Sequence, residues 1–182
     1  MKISETGFHG LLVIEPVVFE DNRGYFLESF NKETLRKAGI AFDPVQDNES
    51  SSVKGVIRGL HYQLRPFEQA KLIRVINGKI MDVVLDLRRT SKTYGKWYGV
   101  ELSAESRKQL FISRGFAHGF SVLSKTAVIQ YKCDNYYKPA FERGIALNDP
   151  SMGIDWKTDM SKAIISEKDL KSPYFRDAEN NF

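Results

Sequence analysis

One cysteine, Cys133, stands in a chain of 182 residues. It has no partner for an internal disulfide, and no cluster of thiols exists to hold a structural zinc, so a stapled secreted scaffold is excluded and a reducing cytoplasm is expected. Long apolar runs are missing too. The segment from Met1 to Gly10 lacks the apolar centre of a leader, and no stretch approaches the ~20 residues of a membrane span. Nor does any repeat, low-complexity tract or Pro/Ser-rich linker divide the chain. With 42% hydrophobic residues it has enough to bury one substantial core, so a single domain over 1–182 is expected, ending in a polar, loosely packed tail after about residue 172. There is little net charge. Lysine and arginine number 27 against 23 acids, a formal +4, and they are scattered rather than gathered into a basic arm. That favours a small anionic ligand over a nucleic-acid duplex, although a solvated surface accounts for the same excess.

Long amphipathic helices are also absent, and what is present is short β-prone runs separated by turn residues. The runs are Gly10-Val18, Tyr25-Ser29, Lys71-Asn77, Lys79-Leu87, Lys96-Leu102, Gln109-Ser113, Gly119-Val122 and Ala127-Cys133. Eight such runs predict a mostly β chain, a double-sheet jelly roll with a few short helices. Asn77-Gly78 is the strongest local hairpin signal, since both residues accept positive φ, and it predicts that Lys71-Asn77 pairs antiparallel with Lys79-Leu87. Asn31 ahead of Lys32-Ala38 and Gly39 reads as one short capped helix, and Ser161-Leu170 as a second.

Chemistry must come from the few polar residues that interrupt good strands. The densest such segment is Gly55-Val-Ile-Arg-Gly-Leu-His-Tyr-Gln63. Strand alternation puts Arg58 and His61 on opposite faces, whereas a bulge at Gly59 turns both inward; the sequence leaves both arrangements open. A lone strand histidine is more often a hydrogen-bonded core residue than a catalyst, so its neighbours decide. Lys71 shares a strand face with Ile73 and Val75, which calls for an anion, either a ligand or a buried carboxylate, unless the lysine sits at the exposed end of the strand. A second histidine lies in Arg114-Gly-Phe-Ala-His118-Gly-Phe120, where two glycines permit close approach of another strand. Tyr131 shares a face with Ala127, Ile129 and Cys133, an apolar setting in which a phenol needs a partner. A metal site is weakly supported. His61-Tyr62-Gln63 places glutamine where a His-x-His pair would have its second ligand, and the third histidine, His9, stands near the terminus.

Taken in order, these phrases resemble the dTDP-4-dehydrorhamnose 3,5-epimerases, a family of cupin-like jelly rolls. The resemblance runs through Arg23-Gly-Tyr-Phe-Leu-Glu28, Gln46-Asp-Asn48, Arg58-Gly-Leu-His61, Lys71, Arg114 to Phe120, Tyr131, the run Asp134 to Asp149, and Ser166-Glu-Lys-Asp169. It implies His61 as general base, Asp169 as the carboxylate that orients and charges it, Tyr131 as the acid on the opposite face of the sugar, and Lys71 steadying the enolate. It implies Arg23 and Arg58 at the pyrophosphate, Glu28, Gln46, Asp47 and Asn48 at the thymidine end, Tyr137 stacked on the base, and Glu142 and Lys168 completing the set, with His118 as a donor near the ketone oxygen. Arg23 between Asp21-Asn22 and Gly24 also reads as an ordinary turn, and Asp134 to Tyr137 as a strand end. The implied substrate is a dTDP-4-keto-6-deoxy sugar and no cofactor or metal is implied. A homodimer is implied as well, with the N-terminal strand segment crossing to the neighbouring site; no nucleic acid or membrane partner is.

The implied roles suit the chemistry. A ketone at C4 acidifies the hydrogens on both flanking carbons, so one base serves C3 and C5, and inversion needs a second titratable group across the ring. A cationic Lys71 or a donor His118 would meet charge that develops as the enolate forms. Three other readings remain: a sibling that inverts C3 alone or a ketoisomerase, a metal-dependent cupin, and a non-catalytic sugar-binding module.

Overall fold

The computed structural model describes residues 1–182. Six strands, β1 (Lys2–Glu5), β2 (Leu11–Glu15), β10 (Gln109–Ile112), β7 (Lys71–Asn77), β12 (Thr126–Cys133) and β5 (Gln46–Val53), form one sheet in that order. Five more, β13 (Glu142–Gly144), β6 (Ile57–Gln63), β11 (Phe116–Val122), β8 (Lys79–Asp86) and β9 (Trp97–Ser103), form the second. A separate hairpin joins β3 (Val18–Asp21) to β4 (Gly24–Leu27). Every strand pair is antiparallel; the one parallel contact is an isolated bridge, Val56 to Ile164.

Alternation explains the layers. Ile73 and Val75 of β7, Ile80 and Val84 of β8, Phe116 and Phe120 of β11, and Ala127 and Ile129 of β12 meet between the two sheets. On the outer face of the five-stranded sheet Met81, Val83 and Leu85 lie under Ile145, Leu147, Met152 and Trp156. On the outer face of the six-stranded sheet Leu72 and Phe111 lie under Leu35, Ile40 and Phe42. β8 is therefore buried on both faces, which is why it reads as an almost continuous apolar run. The jelly-roll expectation holds, and both sheets are covered on their outer faces.

Three local expectations are corrected. β7 and β8 do not pair: β7 bonds to β10 and β12, β8 to β11 and β9, so Asn77-Gly78 carries the chain from one sheet to the other. The turn chemistry is right, with Gly78 at φ 77°, but both strands are central and their hydrogen bonds go elsewhere. Gly10-Val18 is broken at Pro16, which has no N–H to donate, into β2 and β3. Ser161-Leu170 is helical only over α2 (Glu167–Leu170) and in a 3-10 turn at Met160–Lys162; between them Ile164 runs extended beside β6, accepting from Ile57 N and donating to Gly55 O. The other helix, α1 (Lys32–Lys37), forms as expected: Asn31 caps it by accepting from Thr34 N at 3.0 Å, Leu35 is buried, and Gly39 ends it at φ 80°.

Residues after Ser172 are more firmly attached than their polarity predicts. Asn180 Nδ2 donates to Leu87 O at 2.7 Å, Tyr62 Oη donates to Glu179 O, and Phe175 and Phe182 pack on the outer cluster of the five-stranded sheet. No helix is long and apolar enough to cross a membrane.

Candidate active site

The sheets part on the side where β5 and β12 face β6 and β11, leaving a cavity of about 230 Å³ lined by Asn48, Glu49, Ser50, Arg58, His61, Lys71, His118, Phe120, Tyr131 and Cys133. Larger hollows of about 610 Å³ beside α1 and about 790 Å³ beside Lys54 and Lys162 contain neither a histidine nor a tyrosine, and a third of about 360 Å³ has His9 with neither a tyrosine nor a carboxylate in its lining. Chemistry, not size, selects the smaller one.

Arg58 and His61 reach the same cavity because β6 carries one extra residue. His118 pairs with His61 and Phe120 with Arg58, so two steps along β11 match three along β6. Gly59 absorbs the extra residue at φ 122°, and a side-chain carbon there would stand 2.5 Å from the Cα of Gly119. Of the two arrangements the sequence allowed, the bulge is the one formed. Arg58 is then held from across the cavity, donating through Nε to Ser52 Oγ at 3.0 Å.

His61 is anchored from the other side by α2. Its Nε2 lies 2.7 Å from Asp169 Oδ1, and Gly59 N donates to Asp169 Oδ2 at 3.3 Å. Ser166 caps α2 by accepting from Asp169 N, and the extended Ile164 beside β6 brings the segment into reach. The Asp169 side chain is 4% exposed against 31% for His61. Burial pushes the Asp169 carboxyl up, but the hydrogen bond and charge of His61, the Gly59 N–H and Ser166 outweigh it and hold the carboxyl below its usual range. An ionised carboxylate fixes the imidazole and favours its taking a proton through the nitrogen that faces the cavity.

The six-stranded sheet supplies the opposing groups. Tyr131 lies on the face with Ala127, Ile129 and Cys133, as alternation requires, and its hydroxyl is 2.9 Å from Ser50 Oγ. Burial, first of all, pushes its phenol well above the usual value; Ser50 and Arg58 pull down, Asp82 and Cys133 push up. The His118 ring meets Tyr131 nearly edge-on, with centroids 6.2 Å apart. Behind His118 is a carboxylate with no exposure, Asp82, whose oxygens lie 2.9 and 3.0 Å from His118 Nε2. Burial raises the Asp82 carboxyl, opposed by the charges of His118 and Lys71. Asp82 lies on the inter-sheet face of β8 between Ile80 and Val84; Lys71 lines the same cavity and acts on Asp82 through its charge, without a direct ion pair.

The remaining expected residues divide into a rim and a distant set. Tyr137 N donates to Gln46 Oε1 at 2.9 Å, Tyr137 Oη donates to Glu142 Oε2 at 2.6 Å, and Lys168, next to Asp169 on α2, pairs with the same Glu142. Lys168 and Tyr137 hold the Glu142 carboxyl down against its burial. Asn48 lines the cavity, but Asp47, one step along β5, turns to the opposite face and pairs with Lys132 at 2.8 Å. Arg23 and Glu28 do not line the cavity of their own chain: Arg23 pairs with Asp21 at the β3–β4 turn and Glu28 accepts from Asn31. Gln63, standing where a His-x-His pair would have its second ligand, spends its amide on backbone, donating to Phe67 O and Tyr136 O and accepting from Lys138 N. Asp82, Ser50 and Ser52 were missed. Asp82 had a signal, a carboxylate in the middle of the apolar run Ile80 to Leu85; the serines, inside Glu49-Ser-Ser-Ser-Val53, had none.

The family profile of dTDP-4-dehydrorhamnose 3,5-epimerase matches residues 5–177. The chain is 51% identical to the dTDP-4-dehydrorhamnose 3,5-epimerase of Methanothermobacter thermautotrophicus over 92% of its own length and 91% of the relative's. Among solved structures it superposes, with a TM-score of 0.92 and 43% identity over 96% of this chain and 93% of that one, on the dTDP-6-deoxy-D-glucose-3,5-epimerase of Legionella pneumophila in complex with dTDP-4-keto-L-rhamnose. A more distant match, TM-score 0.87 and 32% identity over 93% and 85%, is ChmJ, a 3'-monoepimerase from Streptomyces bikiniensis, solved with dTDP as a double mutant that replaces a histidine by asparagine and a tyrosine by phenylalanine.

Proposed function

Since the chain belongs to the dTDP-4-dehydrorhamnose 3,5-epimerase family, its reaction is the inversion of C3 and C5 of dTDP-4-dehydro-6-deoxy-D-glucose, and we propose that His61 and Tyr131 divide that inversion between them. His61, neutral and made more basic by its hydrogen bond to Asp169, removes the proton from the carbon beside the ketone. Electron density moves onto the C4 oxygen, where Lys71 and His118 meet the developing charge. Tyr131 then gives its proton to the other face of the same carbon. The cycle repeats at the second carbon and returns both side chains to their starting states through solvent. No electron leaves or enters the sugar, so the step needs no redox cofactor.

The observation that carries this reading is that the His61–Asp169 pair and the Tyr131 phenol enter one cavity from opposite sheets. In ChmJ the two replaced residues are a histidine and a tyrosine, as far apart in sequence as His61 and Tyr131 are here, and that protein still holds dTDP. The same division is expected in this chain. His61→Ala and Tyr131→Phe should each cut turnover by about 10²–10⁴-fold, the usual worth of a positioned acid or base, with dTDP affinity within a few-fold of wild type. Calorimetric titration with dTDP beside a coupled reductase assay measures both, and parallel loss of dTDP binding would contradict the assignment.

Arg58 is read as a pyrophosphate contact, with Gln46, Asn48, Tyr137, Glu142 and Lys168 as the nucleotide rim. Arg23 and Glu28 take the same role only in a neighbouring copy, which is the argument for a homodimer that exchanges the β3–β4 hairpin. That hairpin is apolar and uncovered: Phe26 is 69% and Phe19 63% exposed.

A further inference from the structure

β5 is the most polar strand of the six-stranded sheet; Ser50 lines the cavity, Ser52 follows two residues on along the same strand face, and each holds one side chain of the site. Ser52 accepts from Arg58, and Ser50 meets Tyr131 at 2.9 Å, the one protein partner of either hydroxyl. A phenol has a single proton. If Tyr131 donates it to Ser50, it has none to aim at the sugar; the acid is competent only when Ser50 is the donor. We propose that Ser50 is a positioning residue for the acid, donating to the Tyr131 oxygen so that the phenol O–H points into the cavity, and then holding the phenolate once that proton is on carbon. The inference rests on Tyr131 being the acid.

The step balances. The phenol O–H breaks, a C–H bond forms on the face opposite His61, the enolate becomes a ketone again, and the Ser50 proton stays on Ser50 throughout. Tyr131 recovers its proton from solvent as the imidazolium releases one. The surroundings make the support necessary. Burial and the nearby Asp82 oppose a phenolate, and the Ser50 hydrogen bond is the strongest contact that favours one, ahead of the charge of Arg58.

An enolate formed by His61 has two fates: return of a proton on the same face, giving back substrate, or delivery from Tyr131, giving product. In heavy water the first path labels recovered substrate and the second labels inverted product, so their ratio reads the acid alone. Ser50→Val and Ser50→Thr differ by a methyl against a hydroxyl, and added bulk affects both alike. Ser50→Val should raise the ratio of labelled substrate to product by about ten- to a hundredfold, the worth of one hydrogen bond to a charged group. Ser50→Thr should stay near wild type, and Ser50→Val added to Tyr131→Phe should change nothing further. A Val variant that slows both paths equally, or Thr behaving as Val, would overturn the inference. If Tyr131→Phe alone keeps full inversion, it is the acid assignment that fails, not the role of Ser50 within it.

Discussion

Asp169 has almost no water around its carboxyl, so its ionised state depends on three groups beside it, His61, the Gly59 N–H and Ser166. Asp169→Asn keeps the shape and removes the charge, leaving His61 with a neutral partner that can also hold the wrong tautomer. Turnover should fall by about 10²–10⁴-fold. The same residue predicts a pH effect on stability. Its folded carboxyl titrates below the ordinary range, so the stability it contributes is complete above that range and disappears as pH falls through the lowered value. Melting temperatures of wild type and Asp169→Asn should therefore converge on acidification from about pH 7 to about pH 3; a constant gap would contradict the account. Asp82 is a starker case. It is fully buried against His118 Nε2, with the charge of Lys71 a lesser influence on it, and Asp82→Ala leaves the His118 ring without its buried partner. A loss of about 3–5 kcal/mol in urea unfolding is expected, against under about 1 kcal/mol if Asp82 contributes only packing.

At the scale of elements, the bulge on β6 decides whether the site exists. It needs a glycine on each strand: a side-chain carbon on Gly119 would stand 2.6 Å from Arg58 O and 3.2 Å from Gly59 Cα. Gly119→Ala must push β6 off β11 at the very residues that aim Arg58 and His61. Overpacking of this kind costs about 1–3 kcal/mol, readable as a drop of several degrees in melting temperature with a larger fractional loss of turnover. The sequence reached this bulge as one of two arrangements because Gly59 interrupts an otherwise regular alternation. It did not reach the partnership of β7 and β8, since Asn77-Gly78 reports only that the chain turns, not which sheet receives it. β5 was invisible for a related reason. Gln46 to Ser52 is an edge strand of polar residues whose place is set by the β12 ladder and by side chains reaching across the cavity, and periodicity reads neither. Lys71, His118 and Tyr131 stood out because apolar residues share their strand faces, Ile73 with Lys71, Phe116 and Phe120 with His118, Ile129 and Cys133 with Tyr131, and His61 because it sits between Leu60 and Tyr62. Asp47 turns from the cavity because alternation points every second residue of β5 to the other face.

At the scale of the molecule, two sheets cover each other's inner faces, and α1 and the C-terminal segment cover the outer ones. The β3–β4 hairpin touches the rest of the chain through Arg107, which pairs with Glu20 and lies over the Tyr25 ring, and it leaves Phe19 and Phe26 exposed. If it completes a neighbouring site, Phe19→Ser with Phe26→Ser should shift the sedimentation of the protein from dimer to monomer and weaken dTDP binding through the loss of Arg23; a monomeric wild type would remove that argument. The central claim concerns the cavity: one base and one acid, from opposite sheets, invert two carbons. The most direct test is proton NMR of chelator-treated protein with dTDP-4-keto-6-deoxy-D-glucose in heavy water, following the hydrogens at C3 and C5. The account predicts exchange at both carbons without added metal, formation of the doubly inverted product, and loss of that product in Tyr131→Phe while exchange by His61 persists. Exchange confined to C3, or exchange that required a metal ion, would contradict it.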